Sequence, residues 1–167
     1  MFVLIKNTNM QKITTFLWFD TQAEEAANFY VSIFKNSKIG EVSRYGDAGP
    51  GPKGSVMVIS FTLEGQDFIA LNGGPMFKFT EAISLYVDCE TQAEVDALWD
   101  TLTADGGEES MCGWLKDKYG LSWQIIPSAL RRTMGGSDRA GAGRAMKAMM
   151  KMRKLDIKAL EDAYAGK

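Results

Sequence analysis

A tetrapeptide occurs twice in this chain of 167 residues: Thr21-Gln22-Ala23-Glu24 returns, 70 residues later, as Thr91-Gln92-Ala93-Glu94. Each copy follows a short apolar run that ends in an acid, a pattern typical of a strand. Each also precedes a stretch with apolar residues at steps of three and four, which predicts an amphipathic helix. The period is too long for a solenoid repeat. We therefore expect two copies of one small module, with a cleft between them as a natural place for a site.

The boundaries of the two modules follow from the turn residues. We expect a first module at 11–75 and a second at 76–127, preceded by an N-terminal extension at 1–10 and followed by a C-terminal helical segment at 128–167. Within them the patterns predict strands at 13–19, 39–46, 55–63, 67–72, 82–89, 109–116 and 121–127, and helices at about 22–35, 92–104, 138–152 and 155–165. Asp20 or Thr21 is the expected cap of the first helix. The order is strand, helix and further strands in both modules, which is an α+β arrangement.

The bulk properties exclude several classes of partner. The net charge is −2, so the sequence gives no electrostatic case for nucleic acid or an anionic membrane. No apolar run approaches the roughly 20 residues of a membrane span, and the apolar start at 1–5 is too short for a signal peptide. With two cysteines and no secretory signal, we expect a reduced, cytoplasmic protein.

Several local motifs carry a family resemblance. They are 16–20 with 23–30, then 70–75, and above all the segment 112–124, Cys-Gly-Trp-Leu-Lys-Asp-Lys-Tyr-Gly-Leu-Ser-Trp-Gln. Together they resemble the PhnB-like branch, often labelled 3-demethylubiquinone-9 3-methyltransferase, of the vicinal oxygen chelate superfamily (glyoxalase, bleomycin resistance and dihydroxybiphenyl dioxygenase). The resemblance implies two paired βαβββ modules whose sheets form a half-barrel cleft, and a homodimer. It also implies a small molecule bound in that cleft.

The superfamily's enzymes hold a divalent metal on the first and last strand of each module, and the positions that match here are poor in ligands. They are Thr14, Thr15 or Phe16, then Ile69 or Ala70, then Ser84, and finally Gln124. The chain has no histidine, the commonest transition-metal ligand, and one neutral amide cannot hold a metal that needs four or more ligands. We expect neither a divalent metal nor any other cofactor.

The candidate ligand-binding residues are Gln124, Asn72, Trp114, Trp123, Cys112 and Phe16. Each also has an ordinary structural interpretation, and the sequence leaves both open. Gln124 lies in an apolar strand and needs a hydrogen-bond partner, which either the barrel or a ligand supplies. Asn72 either ends a glycine turn or marks a rim whose backbone amides hold an anion. The aromatic residues line a pocket or fill the core. Cys112 is a thiolate nucleophile or an inert thiol.

Two functions from different classes remain. The first is a small-molecule-binding protein of the bleomycin-resistance type, without a catalytic metal. The second is a superfamily enzyme (isomerase, lyase or dioxygenase-like) acting on a small oxygen-bearing substrate. It would use either an unorthodox metal site or a general acid or base such as Asp117 or Tyr86. Methyl transfer finds no support, because Gly49-Pro50-Gly51-Pro52 lacks the amide donors of a cofactor-binding glycine loop.

Overall fold

The computed structural model describes residues 12–167, which divide into two compact units between Lys78 and Phe79. The extension expected at 1–10 lies outside the described residues. The elements in chain order are β1 (Thr15–Phe19), α1 (Ala23–Ile33), β2 (Lys38–Arg44), β3 (Val56–Leu63), β4 (Gln66–Asn72), β5 (Ser84–Cys89), α2 (Gln92–Thr103), a 3₁₀ turn (Ala104–Gly106), β6 (Glu108–Glu109), β7 (Trp114–Lys116), β8 (Ser122–Pro127), α3 (Ser128–Met134), α4 (Arg139–Met149) and α5 (Ile157–Ala165).

The first unit contains a four-stranded sheet in the order β1-β4-β3-β2. β1 runs parallel to β4, and the other neighbours are antiparallel. The alternate residues Leu17 and Phe19 of β1 are buried, as expected for a strand with one covered face. α1 buries the stripe Ala23, Ala26, Ala27 and Tyr30, and its small alanines let the helix pack closely on the sheet.

The second unit repeats this topology with the order β5-β8-β7-β6, and β5 is parallel to β8. α2 buries Val95, Leu98, Trp99 and Leu102. Both sheets are open, with edges at β1 and β2 in one and at β5 and β6 in the other. The predicted α+β fold with two βαβββ modules is therefore confirmed, and the sheets do not close.

The single strand predicted at 109–116 is wrong. The chain forms two short strands there, β6 and β7, with Ser110–Gly113 between them. Cys112 and Gly113 both have positive φ, at 60° and 84°, so they leave the extended conformation. Their amides donate instead to the carbonyls of Met152 and Arg153, both at 2.8 Å.

The cap predicted for the first helix is also wrong. Neither Asp20 nor Thr21 caps α1. Its N-cap is Gln22, which makes no side-chain cap bond. The orphan amide of Ala23 donates to the Asn72 side-chain oxygen, 2.7 Å away. In α2 the equivalent Thr91 does cap, and accepts from the Glu94 amide at 3.2 Å.

The C-terminal helices belong to the second unit and pack on the end of its sheet. Leu155 and Leu160 are fully buried with Ile126 of β8, and Met149 and Met152 pack against them. The Gln92 side chain, at the start of α2, forms two hydrogen bonds to this segment. Its amide donates to the Leu155 carbonyl at 3.0 Å, and its oxygen accepts from the Ile157 amide at 2.8 Å. None of the helices formed by residues 12–167 is both long enough and apolar enough to span a membrane.

Candidate functional site

One row of side chains crosses the second sheet on the face opposite α2. Tyr86 on β5 pairs with Gln124 on β8, and Gln124 pairs with Trp114 on β7. Residues directly opposite each other in neighbouring strands point to the same face. The alternate residues Leu115, Trp123 and Ile125 are buried on the helix side. We call Tyr86, Gln124 and Trp114 the polar–aromatic row.

The row carries hydrogen-bonding groups that find no partner in the described part of the chain. The Gln124 amide nitrogen donates to the Ser84 hydroxyl at 2.9 Å, while the other end of this amide has no partner among residues 12–167. Three of the four tryptophans donate their indole N–H groups, to the Gly74 carbonyl, the Glu109 carboxylate and the Asp117 carboxylate. For the indole N–H of Trp114, the described part of the chain supplies no acceptor. Half-buried polar groups of this kind are suited to a ligand.

Tyr86 contributes a neutral phenol to the row. Its side chain is 51% exposed. Desolvation raises the pKa of Tyr86, and the nearby negative charge of Asp88 raises it further, while Arg131 opposes both. The phenol therefore keeps its proton at neutral pH. It can donate a hydrogen bond to a ligand, but it is a poor general base.

A second row lies beside the first. Ser84, Ser122 and Lys116 pair across β5, β8 and β7. Lys116 forms a 2.5 Å ion pair with Glu81, which raises the pKa of the lysine and holds it as a cation. The Ser122 hydroxyl is buried and has no hydrogen-bond partner within the described residues. Period-two alternation along β5 was the sequence signal that could have grouped Ser84 with Tyr86.

The residues at the family's metal positions do not fit a metal ion. Ser84 and Gln124 hydrogen-bond to each other. Ser84 offers a neutral hydroxyl and Gln124 a neutral amide. In the described range 12–167, no group of three or more His, Cys, Asp or Glu side chains could hold a metal ion. The donor set lacks the charged or imidazole ligands that divalent metals require at such sites.

Asn72 forms its hydrogen bonds within the first unit. Its side-chain oxygen accepts from the Ala23 amide, and its side-chain nitrogen donates to the Val56 carbonyl at 2.9 Å. Its own carbonyl accepts from the Tyr45 hydroxyl at 2.6 Å. The residue therefore joins β4, β3 and the start of α1.

Trp123 and Asp117 form a buried pair on the helix side of the second sheet. Trp123 is 1% exposed and Asp117 is 2% exposed. The indole N–H donates to the carboxylate at 2.8 Å, and the amides of Tyr119 and Leu121 donate to its other oxygen. Trp123 therefore lies on the face opposite the row, and the Asp117 carboxylate holds the turn that precedes β8.

Phe16 belongs to the other sheet. It is 54% exposed and pairs with Ile69 of β4. Trp18 lies two residues further along the same strand face and donates its indole N–H to the Gly74 carbonyl at 2.9 Å. The Phe77 ring packs edge-on against the Trp18 ring, with 5.0 Å between the two ring centroids. The first sheet therefore presents an aromatic surface of its own.

The two cysteines are in different environments. Cys89 is completely buried, and burial, followed by the charges of Glu94 and Asp88, raises the pKa of its thiol to about 12. Cys112 is half-buried beside the C-terminal segment, with its sulfur 3.7 Å from the Met149 carbonyl. It lies outside the polar–aromatic row.

Cys89 is expected to resist thiol reagents in the native protein. A thiol with a pKa near 12 is almost wholly protonated at pH 8, and the thiolate is the reactive form. Labelling at pH 8 should therefore modify Cys112 alone in the folded protein and both cysteines in denaturant. Mass analysis of the digested product reads the site directly. Equal labelling of Cys89 in the folded state would contradict its buried placement.

Comparison with known proteins gives a consistent group of relatives. The family model described as 3-demethylubiquinone-9 3-methyltransferase matches residues 11–126. No curated protein matches the sequence. Among solved structures, the chain is similar to the PhnB protein of Bacillus cereus, which carries the same description as the family. The two are 46% identical, the match covers 71% of this chain and 100% of that one, and the TM-score is 0.66.

Two further structures are more distant. A protein of Pseudomonas aeruginosa is 20% identical over 68% of this chain and 95% of that one, with a TM-score of 0.56, which shows a shared fold. A glyoxalase/bleomycin resistance protein of Albidiferax ferrireducens T118 is 13% identical over 66% of this chain and 92% of that one, with a TM-score of 0.44.

Proposed function

The chain belongs to the PhnB-like family described as 3-demethylubiquinone-9 3-methyltransferase, and from that membership we propose that it binds a small, partly aromatic molecule on the polar–aromatic row of its second sheet, without a catalytic metal. The observation that carries the proposal is the row itself. Trp114 and Gln124 are adjacent across two strands, and each keeps a hydrogen-bonding group that residues 12–167 leave unpaired.

The chemistry of the row defines the kind of ligand. An indole and a phenol offer flat apolar surfaces with a polar tip each. The Trp114 N–H and the neutral Tyr86 hydroxyl are donors, which suits a carbonyl, hydroxyl or ether oxygen on the ligand. The Ser84 hydroxyl fixes the orientation of the Gln124 amide, so that the free end of the amide selects the matching group. We therefore expect a planar, oxygen-bearing small molecule.

Methyl transfer is not part of the proposal. The loop with Gly49 and Gly51 connects β2 to β3, whereas a cofactor-binding glycine loop joins a strand to a helix in a parallel sheet. The two glycines allow close packing on Tyr45, since an added Cβ at either position would lie within 2.6 Å of its ring. The loop's composition is thus explained by contact with an aromatic ring.

Replacing Gln124 with alanine is expected to weaken ligand binding about tenfold, the equivalent of roughly 1.4 kcal/mol, and to leave the fold intact. The variant removes the amide that would contact the ligand. Among residues 12–167, only the Ser84 hydroxyl loses a hydrogen-bond partner. Native mass spectrometry of protein purified without chelators should show a homodimer, no divalent metal and a retained organic mass. That mass should be reduced or absent in the variant.

The exposed Gln66, at the start of β4, is the matched control, because Gln66→Ala should leave the retained mass unchanged. If Gln124→Ala lost thermal stability but kept ligand, the amide would be structural and the proposal would fail. A stoichiometric divalent metal in the wild-type spectrum would instead favour an enzyme of the superfamily. Within the row, such an enzyme would depend on Tyr86 as a general acid.

A further inference from the structure

Sulfur-bearing side chains lie in the loop before β7 and at the end of α4. Cys112 lies in that loop, and its sulfur is 3.8 Å from the Met150 sulfur at the end of α4. Met146 lies one helical turn before Met150, and Met111 precedes Cys112 in the chain. All three methionines are exposed, with 44–59% of their surface accessible. We call Cys112, Met150, Met146 and Met111 the sulfur cluster.

Backbone hydrogen bonds hold the Cys112 loop against the chain that follows Met150. Cys112 donates its amide to the Met152 carbonyl and Gly113 donates to the Arg153 carbonyl, both at 2.8 Å. These bonds clamp the loop to the chain just after α4. On the other side, Met149 and Met152 pack against the buried core of the C-terminal segment. Met146 and Met150 take no part in that core and are exposed to solvent.

From this geometry we propose that the sulfur cluster binds a monovalent soft metal ion, copper(I), with Cys112 and Met150 as its first two ligands. Metal–sulfur bonds in proteins are about 2.3 Å long. Two such bonds to sulfurs 3.8 Å apart would meet at an angle of about 110°. That angle leaves room for a third ligand, for which the exposed thioethers of Met111, next to Cys112 in the chain, and Met146, one helical turn before Met150, are the candidates.

The ligand chemistry selects copper(I) over divalent ions. Thiolate and thioether ligands are soft and favour copper(I), whereas calcium, magnesium and manganese prefer carboxylate oxygens. The sulfur cluster contains neither a carboxylate nor an imidazole. On binding, the Cys112 S–H bond breaks and its proton passes to solvent, while a sulfur lone pair forms the bond to the ion. No electron is transferred, since the metal enters already in the reduced state.

The cluster is independent of the proposed small-molecule site. Cys112 and Met150 contribute nothing to the polar–aromatic row, so either proposal can fail without the other. The plain alternative is that these sulfur atoms only pack against each other. In that case replacing either of them would change stability without changing any affinity for copper.

The test is a competition for copper(I) under anaerobic conditions. The reduced full-length chain is titrated into the coloured copper(I) complex of bicinchoninate. We expect the wild type to withdraw one equivalent of copper(I), Cys112→Ser to withdraw none, and Met150→Leu to bind at least tenfold more weakly. Met76→Leu is the matched control, because Met76 is 76% exposed and lies in the other unit, and it should behave as the wild type.

Two results would overturn the proposal. One is a wild type that withdraws no copper(I), and the other is a Cys112→Ser variant that withdraws as much as the wild type. Circular dichroism and thermal unfolding of each variant separate loss of binding from loss of fold. If Cys112→Ser does not fold, Met150→Leu decides alone, because Met150 is exposed and its replacement should not disturb the core. X-ray absorption of the loaded protein should then show sulfur neighbours only.

Discussion

Asp117→Asn is expected to lower the free energy of unfolding by about 3 kcal/mol, a large effect for a change of one atom type. The Asp117 carboxylate is 2% exposed and accepts hydrogen bonds from two amides and an indole. The amides of Tyr119 and Leu121 donate at 2.9 and 3.1 Å, and the Trp123 indole donates at 2.8 Å. Asparagine keeps one acceptor oxygen for the two amides. Its NH₂ group would then face the indole N–H, which leaves two buried donors opposed to each other.

A double-mutant cycle with Trp123→Phe tests this account. Phenylalanine removes the indole N–H, so the NH₂ of Asn at 117 no longer faces a donor. The double variant should therefore be at least 1 kcal/mol more stable than the sum of the two single effects predicts. Denaturant unfolding measures all four proteins, and the exposed Asp20→Asn serves as the control. A loss of less than about 0.5 kcal/mol in Asp117→Asn would show that this buried acceptor is dispensable.

Gly113→Ala is expected to cost about 3 kcal/mol, through both backbone strain and overpacking. Gly113 has a φ of 84°, in the left-handed region. An added Cβ would lie 2.9 Å from the Ile125 carbonyl oxygen, 2.9 Å from a methyl carbon of Ile126 and 3.1 Å from one of Leu155. The carbonyl belongs to β8 and cannot move away cheaply, so the loop itself must shift.

Gly120 is a matched control for this effect. Its φ is also 84°, but an added Cβ there would meet nothing within 4 Å. Gly120→Ala should therefore show the backbone strain alone, about 1 kcal/mol. The difference between the two variants in thermal or denaturant unfolding isolates the packing contribution. Equal losses of stability in the two variants would mean that the loop around Gly113 accommodates the methyl group. The close contacts of the added Cβ would then cost no free energy.

The sequence predicted the topology well because the repeat encodes it twice. Each tetrapeptide follows an opening strand, and each module's last strand pairs with that opening strand. The helix caps, however, differ between identical tetrapeptides. Asn72, at the end of β4, reaches the start of α1, whereas the residue that takes its place at the end of β8 is Pro127, which has no such side chain. A long-range partner of this kind is invisible to local cap rules.

The candidate site was predictable in composition but not in placement. Trp114 and Trp123 are equally aromatic, yet strand alternation puts them on opposite faces of the second sheet. Local sequence cannot decide which face is covered when both contain apolar residues. In the structure, the indole N–H groups distinguish the two faces. That of Trp123 donates to the buried Asp117 carboxylate, whereas that of Trp114 has no acceptor in the described residues. Cys112 was selected for its neighbours in sequence, and the fold gives it different ones.

The parallel pairing of β1 with β4 has a consequence for synthesis on the ribosome. Thr15 pairs with Phe68, so the apolar strand β1 emerges about 50 residues before its partner, a delay of several seconds at 5–20 residues per second. The β3–β4 hairpin, by contrast, can close as soon as it emerges, since Leu63 pairs with Gln66. Nascent β1 must therefore stay unpaired while the rest of its sheet is made. A holding chaperone that binds short aromatic segments would find its target at residues 15–19 of this chain.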